Sequence, residues 1–328
     1  MGIIVEISDI QMTTITHTQN NAPIFIVGAA RSGTTLLQYM LRSHPDISLP
    51  TSESHFFIPF YGRRDEFGDL SQVENLYSVI EQIYQAQTEF FDDDFHGIKF
   101  NVRDLALGCK EQGITSIPGI ISFIFQKNAT AEGKIRWGDK TPYYILHLET
   151  ILDMFPNAQI IHIIRDGRDC SLSMLERKWD LRIFNTYHSA YIWDKYIVAG
   201  KKFGHKHPKS YIEIHYEDLL NQPESSIHKL CAFLKIEFNH SVINFELSDG
   251  SGKTPLLAKP LSKNNQQKWK NKMPKRQLKI FESLAGNALE QCGYKLSCNA
   301  PKIAKWEWFF NELHIRICHF YCKYLLKK

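Results

Sequence analysis

In "GAARSGTT" (28–35), Gly28 and Gly33 have the spacing of a Walker A phosphate loop, but the place of that motif's lysine is taken by Thr34. Backbone N–H groups of such a loop, with the positive end of the helix behind it, cradle an anion. A nucleoside triphosphatase also needs the lysine on the terminal phosphates and an acid for Mg²⁺. Thr34 brings no charge, so the ligand carries less charge at that end or is neutralised elsewhere. A second stretch, "IIRDGRDCSLSM" (163–174), sets Arg165 at the close of an apolar run and Ser173 eight residues on, about two helical turns away. A guanidinium and a hydroxyl make a good phosphate clamp. Taken alone, the same run also reads as a surface arginine paired with Asp166 or Asp169.

Both stretches need a strand before them and a helix after. "PIFIVG" (23–28) is an apolar run bounded by Pro and Gly, and Leu36, Leu37, Met40 and Leu41 follow at helical spacing. "IIHII" (160–164) predicts a second buried strand, "SYIEIHYEDLL" a third over 211–214, and "GIKF" (97–100) a further one. Helices are predicted from near Pro142 to Met154 and Phe155, over 184–203, over "PESSIHKLCAFLKI", and up to Gly293. The run 244–269 reads as a loop. Alternating strands and helices predict an α/β fold, a P-loop NTPase-like parallel sheet flanked by helices in one main domain. The boundaries are a tail over 1–22, a domain over 23–298 and an amphipathic C-terminal helix over 299–328.

A chain of 328 residues, 43% hydrophobic and 23% charged, can bury a full core. The net charge of +4 is too small to argue for nucleic acid and suits an anionic ligand. Seven cysteines with no C-x-x-C pair argue against a disulfide framework or zinc, and for reduced thiols in a cytoplasm. No run of residues has metal-ligand spacing. The first residues lack the basic and apolar regions of a signal peptide, and no window is long enough for a membrane span.

The two phosphate elements in register resemble the sulfotransferases that use 3′-phosphoadenosine 5′-phosphosulfate (PAPS), most of all the branch with the tyrosylprotein, heparan and many bacterial enzymes. "RSGTTLL" is similar to the family's 5′-phosphosulfate loop and "RDGRDCSLSM" to its 3′-phosphate element. "GDKTP" (138–142), "HYEDLL" (215–220), "KPLSKNNQQKWKNKMP" (259–274) and "LEQCGY" lie in the family's order, so the likeness runs from about Pro23 to Tyr294. It implies transfer of a sulfuryl group from PAPS to a hydroxyl or amine, releasing 3′,5′-bisphosphoadenosine (PAP), without a metal. It also implies that Arg31, Ser32, Gly33, Thr34, Thr35 and Leu36 hold the 5′ end, Arg165 and Ser173 the 3′-phosphate, and Tyr216 the adenine. Lys259, or Ser251 to Lys253 in its stead, closes over the 3′-phosphate from the loop. A sulfuryl group has one charge fewer than a γ-phosphoryl, which accounts for the missing lysine.

By the same resemblance "LPTSESHFF" (49–57) puts the catalytic base at Glu53, provided burial raises its pKa, with His55 as competitor. Lys140 is the electrophilic helper at the bridging oxygen. A P-loop kinase and an inactive nucleotide-binding relative are the rival readings. Gly167 stands where many relatives have proline, and the membrane anchor and lumenal disulfides of the Golgi relatives are not seen. The acceptor stays open: small molecule, glycan, lipid or peptide tyrosine. In "KWEWFFNELHIRICHFYCKYLLKK", Trp306, Phe310, Leu313, Ile317, Phe320, Tyr324 and Leu325 share one helical face. That helix packs on the domain, lies on a membrane surface or makes a homodimer contact.

Overall fold

The computed structural model describes residues 21–245, 265–297 and 301–324. Lys259 and the alternatives Ser251 to Lys253 lie outside these residues, as do most of the N-terminal tail and Leu325. Five parallel strands form one sheet in the order β2-β3-β1-β4-β5: β1 (Ile24–Val27), β2 (Ile47–Ser48), β3 (Arg136–Lys140), β4 (Gln159–Ile164) and β5 (Tyr211–His215). Parallel sheets are covered on both faces, so their strands read as continuous apolar runs. Here Phe25, Val27 and Ile160 face a core shared with α2 (Val73–Ala86), α3 (Val102–Glu111) and α4 (Ile117–Ala131). Ile24, Ile26, Ile161 and Ile163 face the opposite core with α1 (Thr34–Arg42) and Ile227, Leu230 and Leu234 of a later helix. Beyond Arg165, α5 (Gly167–Glu176) packs against α6 (Thr186–Lys206). After β5 come α7 (Tyr216–Asn221), α8 (Pro223–Leu234), α9 (Lys275–Gln291) and α10 (Lys305–Tyr324).

The apolar runs at 24–27, 160–164 and 211–214 are strands as the sequence predicts. "GIKF" is not. The amide N–H groups of Gly97 and Ile98 both donate to the Asn128 side-chain oxygen, at 2.8 and 3.3 Å, so an α4 side chain takes what a sheet neighbour would have taken. The strand next to β1 on that side is instead "RWGDK", just before the predicted helix, where no strand was predicted. Arg136 can be buried there because its guanidinium donates to the carbonyls of Ala22 and Leu234 and to the Gln159 side chain. The helix expected from Pro142 begins as a 3₁₀ turn over Pro142–His147 and becomes α-helical over Leu148–Met154.

Candidate active site

The register places four chain ends together. Ile26 pairs with Lys140, Val27 with His162, and Ile164 with His215. The glycine loop, Lys140, Arg165 and Tyr216 therefore all sit at the carboxyl ends of adjacent strands, where open α/β sheets bind ligands.

The glycine loop turns sharply into α1. Gly33 caps the helix at φ 98°, and a Cβ there would lie 2.4 Å from a Tyr216 ring carbon, so only glycine fits. The first helical bond runs from Leu37 N–H to Gly33 O, which leaves the first-turn amides of Thr34 to Leu36 facing the loop. Leu36 adds only its backbone, because its side chain is in the core. Ser32 is fully buried with its hydroxyl 3.6 Å from the Cys170 sulfur, so it ties the loop to α5 rather than opening toward a ligand. Thr34 is buried and Thr35 half-buried.

Arg31 and Ser173, read as parts of two different clamps, are partners: Arg31 Nε donates to Ser173 Oγ at 2.9 Å. Arg165 donates to Arg31 O at 3.2 Å and to Asn265 O at 2.7 Å, and its guanidinium lies 4.4 Å from the Tyr216 ring centre. Its Nε has no partner although buried. Tyr216 is packed in this arrangement, accepting a 2.8 Å bond from the Asn265 amide. Burial, then Arg177, then Arg165 pull the pKa of Arg31 below its ordinary value. Arg31 and Arg165, just before the N-termini of α1 and α5, make a site for an anion of more than one charge; Arg177, at the other end of α5 and paired with Asp180 at 3.1 Å, adds positive potential. Arg177 lies outside the quoted motifs, and Asn265, inside "KPLSKNNQQKWKNKMP", was not singled out there because its part in the site is a backbone carbonyl and an amide that only the fold brings to Arg165 and Tyr216.

The second group surrounds Glu53. Lys140 is buried at the end of β3, and its Nζ donates to Glu53 Oε1 at 2.9 Å. His55 Nε2 is 3.1 Å from Glu53 Oε2. The segment is pinned from the sheet side. Ser54 N–H donates to Thr141 Oγ1 at 3.0 Å, Ser54 Oγ lies 2.9 Å from the Tyr144 hydroxyl, and Phe57 N–H donates to that same hydroxyl at 3.1 Å. His55 is left in the left-handed region at φ 51°, exposed, while Phe56 and Phe57 are buried. Strain of that kind in a non-glycine residue costs about 1–3 kcal/mol and persists where the surroundings impose it.

The electrostatics correct one expectation. Burial does push the Glu53 carboxyl upward, but the His55 hydrogen bond and the Lys140 charge outweigh it and hold the pKa at about 2. The same bond raises the pKa of His55 against the opposing effect of burial. Asp139, next to Lys140, is fully buried with neither carboxylate oxygen in a hydrogen bond of ordinary geometry; burial pushes it up to about 6. Among the described residues no group of three or more His, Cys, Asp or Glu could hold a metal ion.

A parallel sheet with a lysine-free phosphate loop, an arginine cluster and a separate Lys–Glu–His group defines a nucleotide-dependent group transferase. The comparisons with known proteins narrow the class. The Sulfotransferase family pattern matches residues 23–240, and the chain belongs to that family. Protein-tyrosine sulfotransferase 1 of Rattus norvegicus is 27% identical over 307 residues, covering 89% of this chain and 75% of that one. The protein of the same name from Homo sapiens is 26% identical over 297 residues, covering 86% and 72%. Among solved structures, the sulfotransferase domain of the Synechococcus PCC 7002 olefin synthase aligns with a TM-score of 0.59 at 22% identity, covering 84% of this chain and 96% of that domain, which supports the fold. The protein is a PAPS-dependent sulfotransferase.

Proposed function

We propose that Glu53, Lys140 and His55 are the catalytic group, and that the acceptor is a phenolic hydroxyl, with a tyrosine of a peptide or protein as substrate. One observation carries the assignment: Lys140 and His55 each hold a different oxygen of the same carboxylate, at 2.9 and 3.1 Å, beside the phosphate loop. The acceptor oxygen attacks sulfur in line. The new O–S bond forms as the bond from sulfur to the 5′-phosphate oxygen breaks, PAP leaves with that electron pair, and the acceptor proton passes to Glu53. The work is mostly orientation and electrostatics.

Glu53 at about 2 is a weak base while Lys140 holds it. Negative charge growing on the leaving phosphate draws the Lys140 ammonium away, and Glu53 becomes more basic as its partner is engaged elsewhere. His55 steadies the carboxylate and is the competing base. A weak carboxylate base discriminates among acceptors. A tyrosine hydroxyl ionises at about 10, whereas an aliphatic hydroxyl lies nearer water's value of about 15.7. The relatives named protein-tyrosine sulfotransferase, at 26–27% identity, support the same class.

Donor recognition belongs to the other group. The amides of Gly33 to Leu36 and Arg31 take the 5′ end; Arg165, Ser173 and Arg31 take the 3′-phosphate; Tyr216 takes the adenine. The test is transfer of ³⁵S from labelled PAPS to a tyrosine peptide, a simple phenol, an oligosaccharide and an aliphatic alcohol. Label on the peptide and the phenol is expected. Label confined to sugar or alcohol hydroxyls overturns the acceptor class and leaves the donor reading intact.

A further inference from the structure

Helix α10 is apolar on two sides. One side packs on the domain: Ile315 is buried against Tyr187 and Ile280, Trp308 meets the Tyr187 ring edge-on at 5.6 Å, and Asn185 donates to Asn311 O at 3.3 Å. Glu307 faces Arg276 of α9 at 3.3 Å. This is the packing the sequence offered as one option, but it uses a different set of residues from the predicted stripe. The stripe's residues from Trp306 to Phe320 point outward, joined by Phe309. Trp306, Phe309, Phe310, Ile317 and Phe320 are each 58–61% exposed, and Leu313 is 40% exposed. At 100° per residue these positions fall on one face. Trp306 and Phe309 both pack edge-on against Phe310, so the face is a continuous patch. A scattered exposed apolar residue needs no explanation, whereas a contiguous aromatic face on one helix does.

We infer that this face seats α10 on the surface of an anionic lipid bilayer, with the helix lying in the plane of the headgroups. The charges beside the face choose this occupant. Lys305, Arg316 and Lys323, spaced by 11 and 7 residues, line one edge of the patch and are exposed. Over 301–324 there are four cations against two carboxylates: Glu307 faces Arg276, and Glu312, on the basic edge, pairs with Arg316 at 3.6 Å, which leaves the segment net positive. Aromatic and aliphatic side chains on one face with Lys and Arg along its edge are the makeup of an interfacial helix. Among the described residues no helix is long and apolar enough to cross a membrane, which agrees with a helix that lies on one.

A second copy of the chain fits the patch less well. Antiparallel pairing through this face brings Lys305 toward the Lys323 end of the copy, and the one carboxylate on that edge, Glu312, is already held by Arg316 of its own helix. Parallel pairing brings the basic edge against the edge of His314 and Glu307, and Glu307 is occupied.

The experiment is sedimentation of the full chain with vesicles of phosphatidylcholine alone and with phosphatidylserine added, alongside light scattering of the protein without lipid. Binding to the phosphatidylserine vesicles, weakened by salt, is expected. Trp306→Ser with Phe310→Ser should abolish it while leaving the melting temperature unchanged, since both side chains are exposed. Lys305→Gln with Arg316→Gln should weaken it by roughly 20- to 30-fold on the anionic vesicles, at about five-fold per charge. A dimer that dissociates in the Trp306→Ser/Phe310→Ser variant, with no vesicle binding, would assign the face to a second copy and overturn the proposal. A monomer that binds neither vesicle overturns it as well.

Discussion

Asp139→Asn isolates the least expected feature of the site, a fully buried carboxyl beside Lys140. Burial raises its pKa from 3.8 to about 6. The folded chain therefore holds this proton to a higher pH than the unfolded chain does, and stability falls as pH rises from about 4 to about 6. Above that range the penalty is fully present. A shift of about two units corresponds to about 3 kcal/mol. Asparagine cannot ionise, so the variant escapes the slope. Its stability relative to the parent should rise by about 3 kcal/mol between pH 4 and pH 8, on the order of 5 °C in melting temperature. The assay is denaturant unfolding of both proteins across that range. The comparison uses the change with pH and not the absolute difference, so any fixed cost of burying an amide cancels. A difference between the two proteins that stays constant from pH 4 to pH 8 would refute the reasoning.

Gly33→Ala places a Cβ 2.4 Å from the Tyr216 ring at φ 98°, so stability should fall by about 1–3 kcal/mol and PAP affinity by at least about ten-fold, read by thermal melting and calorimetry. Arg165→Ala removes charged donors worth about 1.5–3 kcal/mol, so PAP should weaken by about 10- to 100-fold and adenosine 5′-phosphosulfate, which lacks the 3′-phosphate, much less; equal losses would deny Arg165 the 3′-phosphate. The His55–Glu53 bond raises the His55 pKa above 6.5, so it adds stability that is full below pH 6.5 and lost as pH climbs through the folded value. Glu53→Gln should lower the His55 pKa in an NMR titration, and an unchanged value would show that the pair does not exist in solution.

The sheet was legible where burial leaves a plain apolar run, as at Ile24–Val27 and Ile160–Ile164. It was not legible at Arg136–Lys140, because that strand buries an arginine and an aspartate. What permits the arginine is a set of acceptors from Ala22, Leu234 and Gln159, distant in the chain. The two motifs named most of the candidate site, since each lies at a strand end that the sequence marks. Their mutual arrangement was beyond it. Arg31 and Ser173 are 142 residues apart and become one clamp only when β1 and β4 pair. Glu53 and His55 read as competitors along the chain. In space Thr141 and Tyr144 fold their segment so that His55 and Lys140 share one carboxylate.

The central claim is that Glu53 takes the acceptor proton. Its most direct test is single-turnover transfer by Glu53→Gln at saturating PAPS, with PAP affinity measured in parallel and His55→Ala as companion. A positioned base is worth about 10²–10⁴ in rate, so the rate constant should fall by that range in Glu53→Gln while PAP affinity stays within a few-fold, and His55→Ala should be milder. Near-normal transfer by Glu53→Gln, with collapse in His55→Ala, would contradict the account and move the base to His55.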